Sequence, residues 1–294
     1  MSQIEFLTKD MGMINLSRPE KLEWTQMKDY ISADWIIQPK RDGVHVVYDS
    51  RIGLTRDGQK IYNDNFVAIY EELSDVIPKD TIIEGEIVVQ TPTLSGQMID
   101  NCGEASGMLN GKPKAKPRHA QFIAFDILKH KGKDVRKESY AIRHEMLDTI
   151  FKDWNSNTDI LLYNIDVIPN LNTKTIETDP EIVSELGLEG YIARDPVGTY
   201  NSTIYKFKAE LEKDFKIVGW DSTATKEVGV IKVQTMDGVN AGNVNILPKF
   251  LQTFPPTELK KRFDSGKYTA IVRYMRHVGS ETLRFPILVD IRYD

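Results

Sequence analysis

The sequence predicts an α+β protein of two domains, a larger one over residues 1–211 built of antiparallel sheets with helices, and a small β-barrel over residues 212–294. Three observations lead there. Along the first two thirds, strand-like apolar runs alternate with stretches of helical period, and no repeat or low-complexity tract interrupts them. From Asp214 the character changes to β-rich runs separated by turn signals at Asp237-Gly238, Ser265-Gly266 and Gly279-Ser280. The chain has 294 residues, whereas one core usually serves about 100 to 200.

Residues 35–48 hold apolar stretches on both sides of a Lys40-Arg41-Asp42-Gly43 turn, and residues 81–89 form a β-branched run around Gly85, so both read as strands. Between them Asp64 or Asn65 can cap a helix whose Phe66, Ile69, Tyr70, Leu73 and Ile77 share one face. Residues 121–128 read as a buried strand. A helix comes next over about 138–152, with Ile142, Met146 and Ile150 at i, i+4, i+8. A short helix is signalled by Asp179 as cap, Pro180 at the first position, Ile182 and Leu186 facing inward and Gly187 as terminator. Strands at 188–194 and 203–208 complete the first domain. In the second, one helix carries Leu259 and Phe263 after Pro255-Pro256, and short strands plus one helix suit a five-stranded barrel of the OB type, with a β-sandwich fragment as the alternative.

Composition excludes several classes. There is no apolar run long enough to span a bilayer, so no membrane partner is expected. Met1-Ser2-Gln3-Ile4-Glu5 lacks the pattern of a secretion signal, and a cytoplasmic setting is expected. Cys102 is the single cysteine, which rules out an internal disulfide and a Cys-based zinc site. The net charge of −5 does not favour a polyanion partner, yet bases cluster locally at Lys112, Lys114, Lys116 and Arg118, then at Lys129, Lys131, Lys133, Arg136 and Lys137.

The residues that carry chemistry stand at strand ends. Lys40-x-Asp42-Gly43 alone is weak evidence, since K-x-D-G arises by chance in roughly one chain in fifteen of this length. Residues further along the chain strengthen it. Thr55-Arg56-Asp57-Gly58 closes a hairpin and offers an arginine fork that matches a phosphate. Glu84 and Glu86 flank Gly85 in an apolar strand and project to one face, so at least one needs a cationic or metal partner. Phe125 is an aromatic able to stack on a base, and Glu189 is a carboxylate in another β-run. In Tyr205-Lys206-Phe207-Lys208 the lysines point one way and the aromatics the other. Together these form an inventory for moving a nucleotidyl phosphate. A lysine attacks only when neutral, and the ordinary value near 10.4 leaves it charged at pH 7. Desolvation, the neighbouring Lys206 and Lys208 and a divalent cation would favour the free amine.

In this order and spacing the motifs resemble the covalent lysyl-nucleotidyltransferases: ATP-dependent DNA ligases, RNA ligases and mRNA-capping guanylyltransferases. Lys40-x-Asp42-Gly43 is similar to their first motif, and Thr55-Arg56, Glu84-Gly85-Glu86, Phe125-Asp126, Glu189-Gly190 and Lys206-x-Lys208 to their later ones. Leu283-Arg284-Phe285-Pro286 and Arg292-Tyr293-Asp294 resemble the OB-domain motif of DNA ligases. Ala105-Ser106-Gly107-Met108-Leu109 and Asp195-Pro196 resemble small phage ligases. The fold implied is an adenylyltransferase (ATP-grasp-like ligase) domain and then an OB-fold β-barrel domain, a minimal ATP-dependent DNA ligase.

The resemblance also implies roles. Lys40 is the adenylylated nucleophile, so ATP is the cofactor and its AMP becomes covalently attached. Gln38 and Phe125 contact adenine, and Glu86 holds the ribose or helps hold metal. Glu189 coordinates Mg²⁺, with Mn²⁺ as an alternative, Lys206 and Lys208 touch the α-phosphate, and Asp42 assists the final sealing step. Arg56 binds the 5′-phosphate at the nick and Arg284 helps orient the pyrophosphate. Lys112, Lys114, Lys116 and Arg118 reach the duplex backbone. Nicked duplex DNA is the implied partner of a monomer, with RNA-containing ends as the alternative. Two positions depart from the pattern: His45 stands where most DNA ligases have an end-contacting arginine, and the last motif stops at Asp294 without the usual basic residue. Two other readings are a capping guanylyltransferase and a non-catalytic nucleic-acid-binding module, and the latter needs a broken Lys40, Glu189 or Lys206 position that this sequence does not have.

Overall fold

The computed structural model describes residues 16, 18–50, 52–55, 60–61, 66–92, 96–110, 120–157, 164–275 and 283–293, and divides into two compact units. The first comprises Met1–Thr178 and Gly187–Lys208, and the second Asp179–Leu186 and Ala209–Asp294. In chain order the elements up to residue 208 are β1 (Glu20–Leu22), α1 (Met27–Ser32), β2 (Ile36–Pro39), β3 (Val44–Tyr48), β4 (Gly53–Thr55), α2 (Val67–Val76), β5 (Ile82–Pro92), β6 (Met98–Asp100), α3 (Cys102–Leu109), β7 (Ala120–His130), β8 (Lys133–Asp134), α4 (Tyr140–Asn157), β9 (Ile165–Val167), α5 (Pro180–Glu185), β10 (Gly190–Arg194) and β11 (Ile204–Lys208).

The first unit contains two sheets. The larger runs β4-β3-β5-β7-β8, with β6 on β5 and β9 on β7, and the smaller runs β1-β11-β10-β2. Pairing is antiparallel except for β7 with β9 and β1 with β11. Because β2 belongs to the smaller sheet and β3 to the larger, Lys40-Arg41-Asp42-Gly43 does not turn one strand back on the next. It carries the chain from sheet to sheet. Gly43 serves close approach rather than a turn: a Cβ there would lie 2.2 Å from the Ile87 carbonyl oxygen.

One face of the larger sheet supports the helices. Phe66, Ile69 and Leu73 from the α2 region and Leu147, Ile150 and Phe151 from α4 form one buried cluster with Val46, Ile83, Phe122 and Ile127. Full burial of each such side chain contributes about 1.5–3 kcal/mol. The α2 face is as the sequence predicts, while its proposed caps, Asp64 and Asn65, lie outside the described residues. The phase of α4 differs. Ile142 is 42% exposed, and the inward positions are Tyr140, Arg143, His144, Leu147, Ile150 and Phe151. For α5 the Asp179 side chain accepts the Glu181 N–H, Pro180 opens the helix and Gly187 ends it at φ +77°, as expected. Its inward residues are Val183 and Ser184, however, and Ile182 and Leu186 are exposed.

The second unit holds β12 (Leu211–Thr223), β13 (Lys226–Gln234), β14 (Asn240–Asn245), α6 (Pro248–Thr253), α7 (Pro256–Asp264), β15 (Tyr268–Met275) and β16 (Arg284–Tyr293). The strands close into a barrel in the order β12-β13-β14-β16-β15, sealed by a parallel contact between β14 and β16. This five-stranded Greek-key closure is the OB arrangement and excludes the sandwich fragment. Val228, Ile231, Val244, Ala270 and Val272 fill it, and Leu259 and Phe263 of α7 join that core. Two helices stand where the sequence suggests one, each with proline in its first turn. The turn glycines Gly238 and Gly266 adopt φ of +94° and +66°; Gly279-Ser280 lies outside the described residues. Among the described residues no helix is long and apolar enough to cross a membrane.

Candidate active site

The smaller sheet brings Lys40 and Glu189 together through its backbone. Tyr191 of β10 pairs with Pro39 of β2, and the Lys40 N–H donates to the Gly190 carbonyl at 2.8 Å. On the other side of β10, Gly190 pairs with Lys208 of β11. Gly190 sits at φ +140°, and a Cβ would stand 1.9 Å from the Phe207 carbonyl oxygen, so only glycine lets the three strands meet here. Side chains then converge. The Lys40 ammonium pairs with Glu189 Oε2, and the Lys208 ammonium with Oε1 at 2.8 Å. Burial by itself raises the Glu189 carboxyl, but the Lys40 and Lys208 charges outweigh it and hold the group below the ordinary carboxylate range.

Lys206 lies one strand repeat from Lys208 and opposite Ile192, on the same face. Tyr205 and Phe207 point the other way and pack on Tyr30, at 5.0 and 5.5 Å between ring centroids. The alternation expected for Tyr205-Lys206-Phe207-Lys208 is therefore what the strand adopts.

Glu84 and Glu86 occupy distinct environments. Glu86 accepts the Gly43 N–H at 3.2 Å, and burial with the neighbouring Glu189 carboxylate raises its pKa despite His45 and Lys40. Glu84 is fully buried, accepts the Tyr200 hydroxyl at 2.6 Å and lies 3.6 Å from His45 Nε2. Burial pushes Glu84 upward, but the contacts to His45 and Tyr200 and the Arg194 charge pull it down further, to a net lowering. The carboxylate needing an internal partner is thus Glu84. Its partners are a histidine and a tyrosine that the sequence alone does not connect to it. The His45 ring lies 5.4 Å from that of Phe125.

Gln38, Phe125 and Asp126 lie where the smaller sheet meets the larger. Gln38 is buried and bonded to Tyr140 and Asn170. Phe125 packs on Val88, Ile123 and Ile168, and the Arg194 guanidinium lies 5.2 Å from its ring centroid. Asp126 is wholly buried and held by Arg143 at 2.7 and 3.1 Å and by Arg194 at 3.3 Å. Asp42 accepts the Cys102 N–H at the start of α3 at 3.3 Å. The adjacent Arg41 forms a fork onto Asp100 at 2.7 and 2.8 Å, tying the Lys40 segment to β6. Sequence reasoning missed this clamp, the Asp126 hub and the Tyr140 contact. The available signal was an acid in an apolar run, which requires a buried cation somewhere.

Arg284 lies in the second unit at the start of β16, its guanidinium 4.8 Å from the Phe285 ring centroid. Arg56, Lys112, Lys114, Lys116 and Arg118 lie outside the described residues. In the second basic cluster, Lys129 pairs with Asp80, Lys133 with Glu138 and Arg136 with Asp134, so these three bases have local acidic partners. No group of three or more His, Cys, Asp or Glu side chains suited to a metal occurs among the described residues. Glu189 and Glu86 nonetheless supply carboxylate oxygens of the kind a hard divalent ion takes, its remaining ligands coming from phosphate and water.

Over residues 19–208 the chain matches the family model described as ATP dependent DNA ligase domain. No curated protein matches it in sequence. Among solved structures it is similar to one from a structure-function analysis of Lig E DNA ligases, with 17% identity and a TM-score of 0.64 over 95% of this chain and 99% of that one. It is also similar to Pmar-Lig_PreS3, with 19% identity and a TM-score of 0.60 over 97% of this chain and 69% of that one. At these identities the two structural likenesses speak for the fold.

Proposed function

Because the chain belongs to the ATP-dependent DNA ligase domain family, we propose that it seals nicks in duplex DNA in three steps, with Lys40 as the nucleophile. The single observation that carries this reading is the buried Glu189 carboxylate with Lys40 on one oxygen and Lys208 on the other. We assign residues 1–211 to the adenylation domain and residues 212–294 to the OB domain.

In the first step the neutral Lys40 amine attacks the α-phosphorus of ATP. A phosphorus–nitrogen bond forms, pyrophosphate leaves with the electrons of the broken phosphorus–oxygen bond, and the amine gives up a proton. Lys208, with Lys206 on the same strand face, neutralises charge on the α-phosphate, the main demand of phosphoryl chemistry. Glu189, with Glu86 beside it, would hold Mg²⁺ or Mn²⁺, which neutralises phosphate charge when bound. An oxygen of the 5′-phosphate at the nick then attacks the AMP phosphorus and the bond to Lys40 breaks, returning the amine. Attack by the 3′-hydroxyl on the 5′-phosphate, assisted by Asp42, breaks its bond to AMP, which leaves as the strand closes. Gln38 and Phe125 meet the base. Arg56, His45 and the Lys112–Arg118 stretch serve the DNA, and Arg284 the departing pyrophosphate.

The test is to incubate the protein with α-labelled ATP or GTP, then offer nicked duplexes carrying DNA or RNA on each side. Labelling by ATP and sealing of the all-DNA nick are expected. Labelling by GTP without sealing would overturn the reading in favour of a capping enzyme, and sealing only of RNA-containing nicks in favour of an RNA ligase.

Gly43→Ala tests how the nucleophile is placed. The new Cβ would meet the Ile87 carbonyl oxygen at 2.2 Å and Glu86 Cγ at 2.9 Å, so the segment carrying Lys40 must shift. A displacement near 1 Å lowers rates by about 10²-fold. The rate of AMP labelling in a single turnover is expected to fall by about that factor; an unchanged rate would show that the segment tolerates the shift.

A further inference from the structure

We propose that Tyr140 and Asn170 select the nucleobase: they occupy both N–H groups of the Gln38 amide and leave only its carbonyl oxygen for the base, an acceptor that welcomes the 6-amino group of adenine and repels the 6-carbonyl of guanine. The inference rests on the proposed function, in which Gln38 meets the base.

The direction of every hydrogen bond in this chain of groups is set by two backbone carbonyls, which can only accept. The Tyr140 hydroxyl has one proton and donates it to the Phe125 carbonyl at 2.8 Å. Its oxygen therefore accepts from the Gln38 nitrogen, Nε2, at 2.8 Å. Gln38 Oε1 lies 3.1 Å from the same hydroxyl, whose single proton is engaged in the shorter bond. The second anchor is the Ile168 carbonyl, 2.9 Å from His144 Nε2, which must carry the proton. The other ring nitrogen, Nδ1, faces Asn170 Nδ2 at 3.4 Å and accepts from it, while Asp148 stands 3.9 Å from Nδ1, outside hydrogen-bond reach. That orientation turns Asn170 Oδ1 toward Gln38, where it accepts the second N–H at 2.9 Å.

Both anchors demand the same orientation of the Gln38 amide. A flipped amide would set its oxygen against Asn170 Oδ1, two acceptors face to face at a residue only 2% exposed. Glutamine is the side chain for which such fixing matters, because its two ends are alike in shape and opposite in polarity. A buried acceptor of fixed direction rejects a carbonyl on the ligand by repulsion and by the pairing it then lacks.

The test compares AMP and GMP labelling as the ratio of kcat/KM for ATP and GTP. Tyr140→Phe, which keeps the ring under Arg194, and Asn170→Leu are each expected to lower the ATP preference about tenfold, and together by more. Gln38→Glu has no N–H to orient, so adding Tyr140→Phe to it is expected to leave the preference where Gln38→Glu set it. If Tyr140→Phe and Asn170→Leu slow ATP and GTP equally, the two residues are merely structural and the proposal is wrong. Wild-type protein that takes label from neither nucleotide would overturn the functional reading and the inference together, whereas label from ATP with an insensitive ratio overturns the inference alone.

Discussion

Replacing Lys40 by alanine is expected to remove covalent nucleotide labelling, a fall of roughly 10⁴-fold or more in the rate of turnover from ATP. Lys208 does not take over, because its backbone is fixed across Gly190 on the far side of β10 from the Lys40 segment. Lys40→Arg separates chemistry from charge. A guanidinium retains a partner for Glu189, yet stays protonated and cannot attack phosphorus. Both variants should therefore fail to label, with the arginine variant unfolding close to the wild type and the alanine variant earlier. Label persisting on the alanine variant would mean that the nucleophile lies elsewhere.

The second large effect concerns stability. Arg143→Met should destabilise the protein by about 3–5 kcal/mol, since it breaks a buried ion pair and leaves Asp126 charged in an apolar setting with Arg194 as its remaining cation. Against a total of about 5–15 kcal/mol for a folded domain this is a large share. The urea midpoint measures it. A loss under about 1 kcal/mol would show that Arg194 alone suffices. The guanidinium also donates to the Glu138 carbonyl at 2.6 Å, so the start of α4 should loosen in the same variant.

That arginine also explains where the sequence misleads. Helical period picks Ile142, Met146 and Ile150 as the inner face of α4, because charged residues are taken to face water. Here Arg143 and His144 turn inward to meet Asp126 and the Ile168 carbonyl, which rotates the buried face and leaves Ile142 outside. In α5 the buried Ser184 has a similar effect on Ile182 and Leu186. Periodicity reads oil against water and cannot see a paired charge. Strand patterns fared better: the alternation in Tyr205-Lys206-Phe207-Lys208 places both lysines on one face without any tertiary knowledge. The approach of Glu189 to Lys40 was legible only through the resemblance, since they are 149 positions apart and nothing local joins them. The Tyr140, Asn170 and His144 contacts to and around Gln38 had no sequence signal, because each is an ordinary polar residue until the sheets meet.

The hydrogen bond from the Lys40 backbone to Gly190 bears on which changes in chain length the fold can accept. Residues 41–188 connect two neighbouring rungs of one ladder, so loops within that span can lengthen or shorten while the distance across the rungs stays set by the strands. Between Gly190 and Arg194 there is no such latitude. One inserted residue would reverse every side chain beyond it, exchanging those that face Gln38 for those that face Tyr30 and its neighbours. Insertions and deletions are thus absorbed in the loops between Lys40 and Glu189, and forbidden in the five residues just after the carboxylate.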